Sequence, residues 1–328
     1  MCSIPALRRI SSSTTLSKRP KQGKDTMKWT IGQVTITSIV EQELTGINDL
    51  ITEATPQAAS EIDWMHPDFA DESGNLTGLV QSFVIETPTR TIVVDTCVGD
   101  GKDRPAVEHW HRAQNGFLDT FRQAGFDPDR IDIVLCTHMH LDHVGWNTYW
   151  DGTAWAPTFP KARYLFAGTE FDFWQREYSL PEMDIAAAKT PHEMGAALIH
   201  NIQHLVHADS ILPIFDAGLA DLVSCDFQVC DEVALVPTPG HTPGHVSVAV
   251  RSGGAAAIIT GDCIHHPCQI ARPHWGTLVD NDPAAAAKTR ERLFSELSES
   301  QTLLIGSHFS EPTAGLVRRK AGSYRLTY

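Results

Sequence analysis

Thr137-His138-Met139-His140-Leu141-Asp142-His143 is the stretch whose reading decides this chain. Three histidines and one aspartate fall between positions 138 and 143. Just before them lies Ile131-Asp132-Ile133-Val134-Leu135-Cys136, an apolar, β-branched run that predicts a buried strand. The strand ends where the histidines begin. Neutral imidazole nitrogens and a carboxylate are donors for Zn²⁺ and similar borderline metals. His138 and His140 are two apart, so an extended exit from the strand points both side chains to one side. Asp142 and His143 follow where the chain must turn, and Gly145 permits a sharp bend.

Four ligands are too few for two metals, and the next candidates lie downstream. Pro237-Thr238-Pro239-Gly240-His241-Thr242-Pro243-Gly244-His245 alternates Pro and Gly around His241, which suggests a rigid loop aiming one imidazole. Ala256-Ala257-Ile258-Ile259-Thr260-Gly261-Asp262 is a short apolar strand ending in an aspartate. Leu303-Leu304-Ile305-Gly306-Ser307-His308 is another, ending in a histidine. Open α/β sheets place their sites at strand ends in this way.

HxHxDH, then PGH, then a strand ending in GD, then a strand ending in SH: in this order the elements resemble the metallo-β-lactamase superfamily of hydrolases, over roughly residues 30–328. The pattern is similar to that of N-acyl homoserine lactonases and methyl parathion hydrolase-like enzymes. The resemblance implies an α/β fold, an αββα sandwich of two mixed β-sheets flanked by helices, with two metals at the sheet edges. Carried over residue by residue, it implies that His138, His140 and His241 hold the first metal. Asp142, His143 and His308 hold the second, and Asp262 bridges the two. Two Zn²⁺ per chain are the default, with Mn²⁺, Fe²⁺ or Co²⁺ as alternatives. Asp95, at the end of the run 91–94, matches an aspartate that supports a metal-binding histidine from outside; the competing reading is a turn-forming Asp.

The chain of 328 residues, 42% hydrophobic and 20% charged, is of ordinary globular composition and long enough for a large core. Its net charge of −14 is uneven. Residues 1–28 hold seven Lys/Arg and one Asp, a net +6, which leaves −20 on the remainder. So acidic a body argues against nucleic acid as a partner. The basic, Ser-rich segment 1–27 is expected to be a disordered tail, with a mitochondrial presequence as the alternative, and 28–328 the hydrolase domain. No apolar run is long enough for a secretory signal or a membrane span. The seven cysteines are scattered and form no CxxC, which points to free thiols in a reducing compartment and a cytoplasmic location.

Along the chain, residues 34–40 alternate as a strand, and 79–86 with 91–94 predict a hairpin. The irregular segment 47–77, with Trp64, Met65, His66 and Phe69, is expected to wall the substrate pocket. Helices are expected over 106–124, from 168, over 185–205 and over 284–297. His109 and His111 fit packing or surface roles. His200 and His204, four apart on one helical face, lack a carboxylate partner for a metal.

The expected activity is a dinuclear metal-dependent hydrolysis of a lactone or carboxylic ester (a small molecule), in which water held by two cations loses a proton near neutral pH and attacks. Asp142 is read as both ligand and orienter of the nucleophile. His265, three residues after Asp262, stands where quorum-quenching lactonases resemble one another in a tyrosine and methyl parathion hydrolase has a histidine. It is the candidate for oxyanion stabilisation or leaving-group protonation, against a purely structural use. His245 is expected behind the ligands. A phosphotriester is the alternative substrate, and a catalytically silent metal-binding scaffold the alternative of another class. Lactonase relatives imply a homodimer.

Overall fold

The structure, a computed structural model, describes residues 26–328; most of the segment 1–27 lies outside the described residues. Two mixed sheets face each other. The first is seven-stranded: β1 (Lys28–Ile31), β2 (Val34–Thr45), β3 (Thr77–Glu86), β4 (Thr91–Val94) and β5 (Ile133–Leu135), then, beyond a small hairpin of β6 (Thr148–Trp150) and β7 (Trp155–Pro157), β8 (Arg163–Ala167) and β9 (Ala220–Val223). Pairing is antiparallel from β1 to β4 and parallel from β4 to β9. The second sheet runs β10 (Val233–Pro237), β11 (Val246–Ser252), β12 (Ala255–Ile259), β13 (Leu303–Ile305), β14 (Ala314–Lys320) and β15 (Ser323–Thr327), parallel only between β12 and β13.

Period-two alternation sorts each strand's side chains into layers. Ile92, Val94 and Leu135 turn inward and meet Val233, Val248, Ile259 and Ile305 between the sheets. Val93 and Val134 turn outward, under Phe117 and Phe121 of α2 (Phe117–Gln123), Trp174 of α3 (Gly168–Glu177) and Ile202 of α4 (Pro191–Val206). On the far side, Ile258 and Leu304 pack under Leu293, Phe294 and Leu297 of the helix Pro283–Ser298, designated αC. The result is the αββα sandwich expected. Among the described residues no helix is long and apolar enough to cross a membrane.

Three expectations change. The helix predicted over 106–124 forms only at Phe117–Gln123, because Gly116 (φ +70°) opens it and 106–115 folds as turns. The helix predicted over 185–205 divides: a single 3₁₀ turn at Ile185–Ala187 is followed by α4, which starts at Pro191 behind a Thr190–Glu193 capping box. The segment 47–76 is not an open pocket wall in its aromatic part. Trp64, Met65 and Phe69 are buried in the layer beneath αC, and the Phe69 ring meets Phe309 edge-on.

The ligand-bearing loops pack too closely against their surroundings for a side chain at Gly145 or at Gly244. A Cβ on Gly145 would lie 1.9 Å from Val98 O, and one on Gly244 would lie 2.1 Å from the Glu170 backbone nitrogen. Neither glycine has a positive φ, so the constraint is steric. Gly168 is different: its nearest contact would be Val223 O at 3.6 Å. Gly244→Ala is therefore expected to cost at least about 1–3 kcal/mol, whereas Gly168→Ala should be neutral or stabilise by up to about 1 kcal/mol. Urea unfolding midpoints of the two variants would check the contrast, and equal midpoints would refute it.

Candidate metal centre

Five strand ends meet at one edge of the sandwich. β4 delivers Asp95, β5 the loop 137–145, β10 the loop 238–245, β12 Asp262 and β13 His308. β4 and β5 are parallel, as are β12 and β13, and β10 lies two antiparallel steps from β12, so in each sheet the carboxyl ends point the same way. Backbone bonds close the corner: Thr96 N–H donates to His143 O, Trp146 N–H to Thr96 O and Val246 N–H to Thr137 O. Asp95 (φ +56°) and Cys97 (φ +52°) occupy left-handed conformations, a cost of order 1–3 kcal/mol each that this bonding must outweigh.

All seven side chains singled out as ligands in the sequence converge. Donor atoms of His138, His140 and His241 lie within 4.8 Å of one another, as do those of Asp142, His143 and His308, and those of His138, His143 and Asp262. Asp262 sits between the sets. Its Oδ1 is 3.1 Å from His143 Nε2 and 3.0 Å from His308 Nε2; its Oδ2 is 3.5 Å from His241 Nε2 and 3.8 Å from His138 Nε2.

Outer partners fix which nitrogen each imidazole turns inward. His308 Nδ1 lies 2.8 Å from Leu79 O, and a carbonyl can only accept, so Nδ1 carries the proton. His143 Nδ1 donates likewise to Asp95 Oδ2 at 2.8 Å, and His241 Nδ1 to Asp280 Oδ1 at 3.0 Å. Thr137 Oγ1 gives its own proton to Asp95 Oδ2, which leaves it to accept from His138 Nδ1 at 3.1 Å. Four imidazoles thus turn Nε2 into one small volume. His143 Nε2 and His308 Nε2 are 3.2 Å apart, and His138 Nε2 and Asp262 Oδ1 are buried without a hydrogen-bond partner. Such an array holds together only where positive charge, a proton or a cation, lies among the nitrogens.

Electrostatics agree. Burial pushes the His138 and His140 imidazoles well below their usual range, so both are neutral at pH 7. Burial would also lower His143 and His308, but the carboxylates of Asp262 and Asp142 outweigh it and hold both above the usual range. The site calls for cations, and its imidazole and carboxylate donors suit Zn²⁺ or its neighbours. The residues could hold divalent metal in two groups, His138, His140 and His241 in one and Asp142, His143 and His308 in the other, with Asp262 between.

The remaining histidines separate. His265 Nε2 is 3.0 Å from Asp262 Oδ2, its ring stacks on His308, and its Nδ1 is buried without a partner. His245 lies behind the site: its Nε2 accepts from Asp262 N–H at 2.8 Å, its Nδ1 meets Thr238 Oγ1, and burial holds it at about 3. His200 is engaged by Glu177 and Pro181 O, away from the cluster, and His111 accepts from Arg104 N–H. Trp146 is buried, whereas Tyr149 and Trp150 are exposed on the hairpin. The six described cysteines are free, and Cys263 is packed in the core.

Three buried carboxylates escaped the sequence reading. Glu41 is the extra residue of a β-bulge in β2, and the bulge turns its carboxylate into the protein. There it accepts from Val98 N–H, Gly99 N–H and Trp146 Nε1–H, and burial pushes it up to about 7. Glu170 ties the two ligand loops together, accepting from Met139 N–H and from Gly244 N–H. Asp280 bonds His241. In sequence the latter two read as ordinary acids at helix starts, and nothing there signals the distant loops they reach.

Comparison with known proteins bears on the family and the fold. The family model of the metallo-beta-lactamase superfamily matches residues 76–308. An N-acyl homoserine lactonase of Bacillus thuringiensis is 22% identical over 254 residues, covering 72% of this chain and 83% of that protein. One from Bacillus cereus is 21% identical over 202 residues, covering 57% and 64%. Among solved structures, AidC, a dizinc quorum-quenching lactonase in complex with a product, superposes with a TM-score of 0.73 at 18% identity, covering 92% of this chain and 96% of its own. AbOPH, a hydrolase in the beta lactamase superfamily, gives 0.72 at 22%, covering 93% and 98%. At these identities the structures speak to the fold.

Metal removal tests the centre. A chelator should lower the melting temperature, and readdition of Zn²⁺ should restore it, since an ion at 100 times its Kd stabilises by about 2.7 kcal/mol. Elemental analysis of the loaded protein is expected to give about two ions per chain, falling to about one in His308→Ala. No bound metal in the native protein would refute the reading.

Proposed function

This chain belongs to the metallo-β-lactamase superfamily, and from that premise we propose that it is a dinuclear metal-dependent hydrolase whose substrate is a lactone or a carboxylic ester. One observation carries the reading: Asp262 has one oxygen toward each half of a seven-residue set whose imidazoles turn Nε2 inward. Zinc is the metal we propose. Divalent cations held there supply acidified water and polarisation of a substrate oxygen.

The chain's own residues do the rest. Asp142 is the ligand left partly open to solvent, and its carboxylate, 3.6 Å from His308 Nε2, orients the attacking water at the mouth. His245 holds Asp262 from behind through the backbone, which frees both carboxylate oxygens for the centre. His265 carries its proton on Nε2, 3.0 Å from Asp262 Oδ2, and from there it turns that N–H to a substrate oxygen, stabilising developing negative charge or passing the proton to the leaving alkoxide.

Support for a lactone comes from the N-acyl homoserine lactonases that align over most of this chain, and a quorum-quenching role would follow from that substrate. A second reading is favoured by one residue. The histidine at 265, where lactonases resemble one another in a tyrosine, is the feature shared with methyl parathion hydrolase-like enzymes, which makes a phosphotriester the alternative substrate. The absence of turnover in a protein that binds two ions would instead indicate a silent scaffold.

The decisive experiment is a panel of lactones, aryl esters and phosphotriesters on zinc-loaded protein. Lactones or esters should give the highest kcat/KM. His265→Ala should lower kcat by about 100-fold or more while the metal content stays near that of the native protein. Unchanged kcat would remove His265 from the mechanism, and phosphotriesters leading the panel would overturn the substrate assignment.

A further inference from the structure

We propose that Asp280 is the positioning residue of the first metal, and that it acts by locking His241. This rests on the reading of His241 as a ligand. The Asp280 side chain is fully buried in the loop 272–282, and its Oδ1 accepts from His241 Nδ1–H at 3.0 Å. Its Oδ2 accepts from Thr277 N–H at 3.0 Å and faces the Arg290 guanidinium of αC at 3.6 Å. Arg290 is itself wholly buried and is held by Pro273 O. The charge on Asp280 is thus balanced from one side, while the other side points at a single imidazole.

The backbone of the same loop grips the same residue. Asn281 N–H donates to His241 O at 2.9 Å and Asp282 N–H to Gly240 O at 2.8 Å. His192 of α4 reaches the loop from a third direction, with Nε2 donating to Asp280 O at 2.8 Å. Gly195 of α4 leaves room for it: a Cβ there would lie 2.3 Å from Leu278 O. His241 is therefore fixed at its main chain and at its outer nitrogen by one loop, which two helices hold in place. Hydrogen bonding to a carboxylate sets the tautomer, aims the lone pair and raises the imidazole's basicity as a ligand. Asp280 does for His241 what Asp95 does for His143: each imidazole gives its outer N–H directly to one buried aspartate. A cation among His241, His265 and Asp280, whose donor atoms also lie within 4.8 Å of one another, would compete with the bond that Asp280 already makes.

Asp280→Asn preserves volume and one acceptor oxygen and removes the charge; Asp280→Ala removes both. Chelator competition on zinc-loaded protein is expected to show about 10- to 100-fold weaker binding of one ion in Asp280→Asn, with the second unchanged. Cobalt-substituted protein should show altered visible bands for one ion only, the one lost outright in His241→Ala. Because the buried Arg290 loses its counter-charge, the metal-free variant is expected to melt below the metal-free native protein, and the stabilisation gained on adding zinc should be smaller in the variant; a drop of equal size with and without zinc would make Asp280 merely structural and overturn the proposal. If Asp280→Ala does not fold, Asp280→Asn carries the test. Native-like affinity for both ions in Asp280→Asn overturns the proposal, as does a third ion in the native protein that this variant loses, since Asp280 would then be a ligand. A native protein that binds no metal would instead refute the metal centre itself.

Discussion

The crowding of buried imidazole nitrogens around one carboxylate, Asp262, is the constraint on which the rest of this structure depends. His138, His143, His241 and His308 each spend one nitrogen on an outer acceptor and turn the other toward Asp262. An isolated array of this kind costs free energy, because buried polar atoms without partners lose their hydration and gain nothing in return. The protein assembles it nonetheless, with left-handed residues at 95 and 97 and glycines at 145 and 244 where any side chain would collide. The surrounding fold supplies the rigidity that holds these acceptors together, and cations turn the arrangement from a liability into a source of stability.

The core of this site was legible in sequence because its ligands follow short apolar strands closely. In Ile133–Leu135 and Ala255–Ile259 the β-branched run gives the strand, its end gives the loop, and the residue types after it give the chemistry. The sandwich itself was legible only through the family resemblance that the ordered motifs carry. Asp95 was legible for the same reason, as the first polar residue past β4. What could not be read was whatever depends on two distant segments meeting. Glu41 has meaning only through a bulge, Glu170 only through the contact between α3 and two loops, Asp280 only through the approach of 272–282 to His241. Each looks locally like a surface acid.

The missed helix limits have a similar origin. The apolar residues at 107, 110, 117, 118 and 121 do pack together, and periodicity registers that packing, but the turns at 106–115 place Val107 and Trp110 there without a helix. Local backbone chemistry at Gly116 and Pro191 overrode the apolar spacing. In the segment 47–76, irregular length and resemblance to lactonase-like enzymes signalled a wall, whereas Trp64, Met65 and Phe69 are buried beneath αC.

His308 and Leu79 bond each other twice, Leu79 N–H to His308 O at 3.0 Å and His308 Nδ1–H to Leu79 O at 2.8 Å, so the strand ends of opposite sheets are buttoned together beside the reactive cluster. That pair of hydrogen bonds resists separation of the two sheets along this edge. Asp142 is the one member of the seven-residue set that is not fully buried, so substitutions in the surface segments around it can reshape the approach to the cluster and leave the button beneath intact.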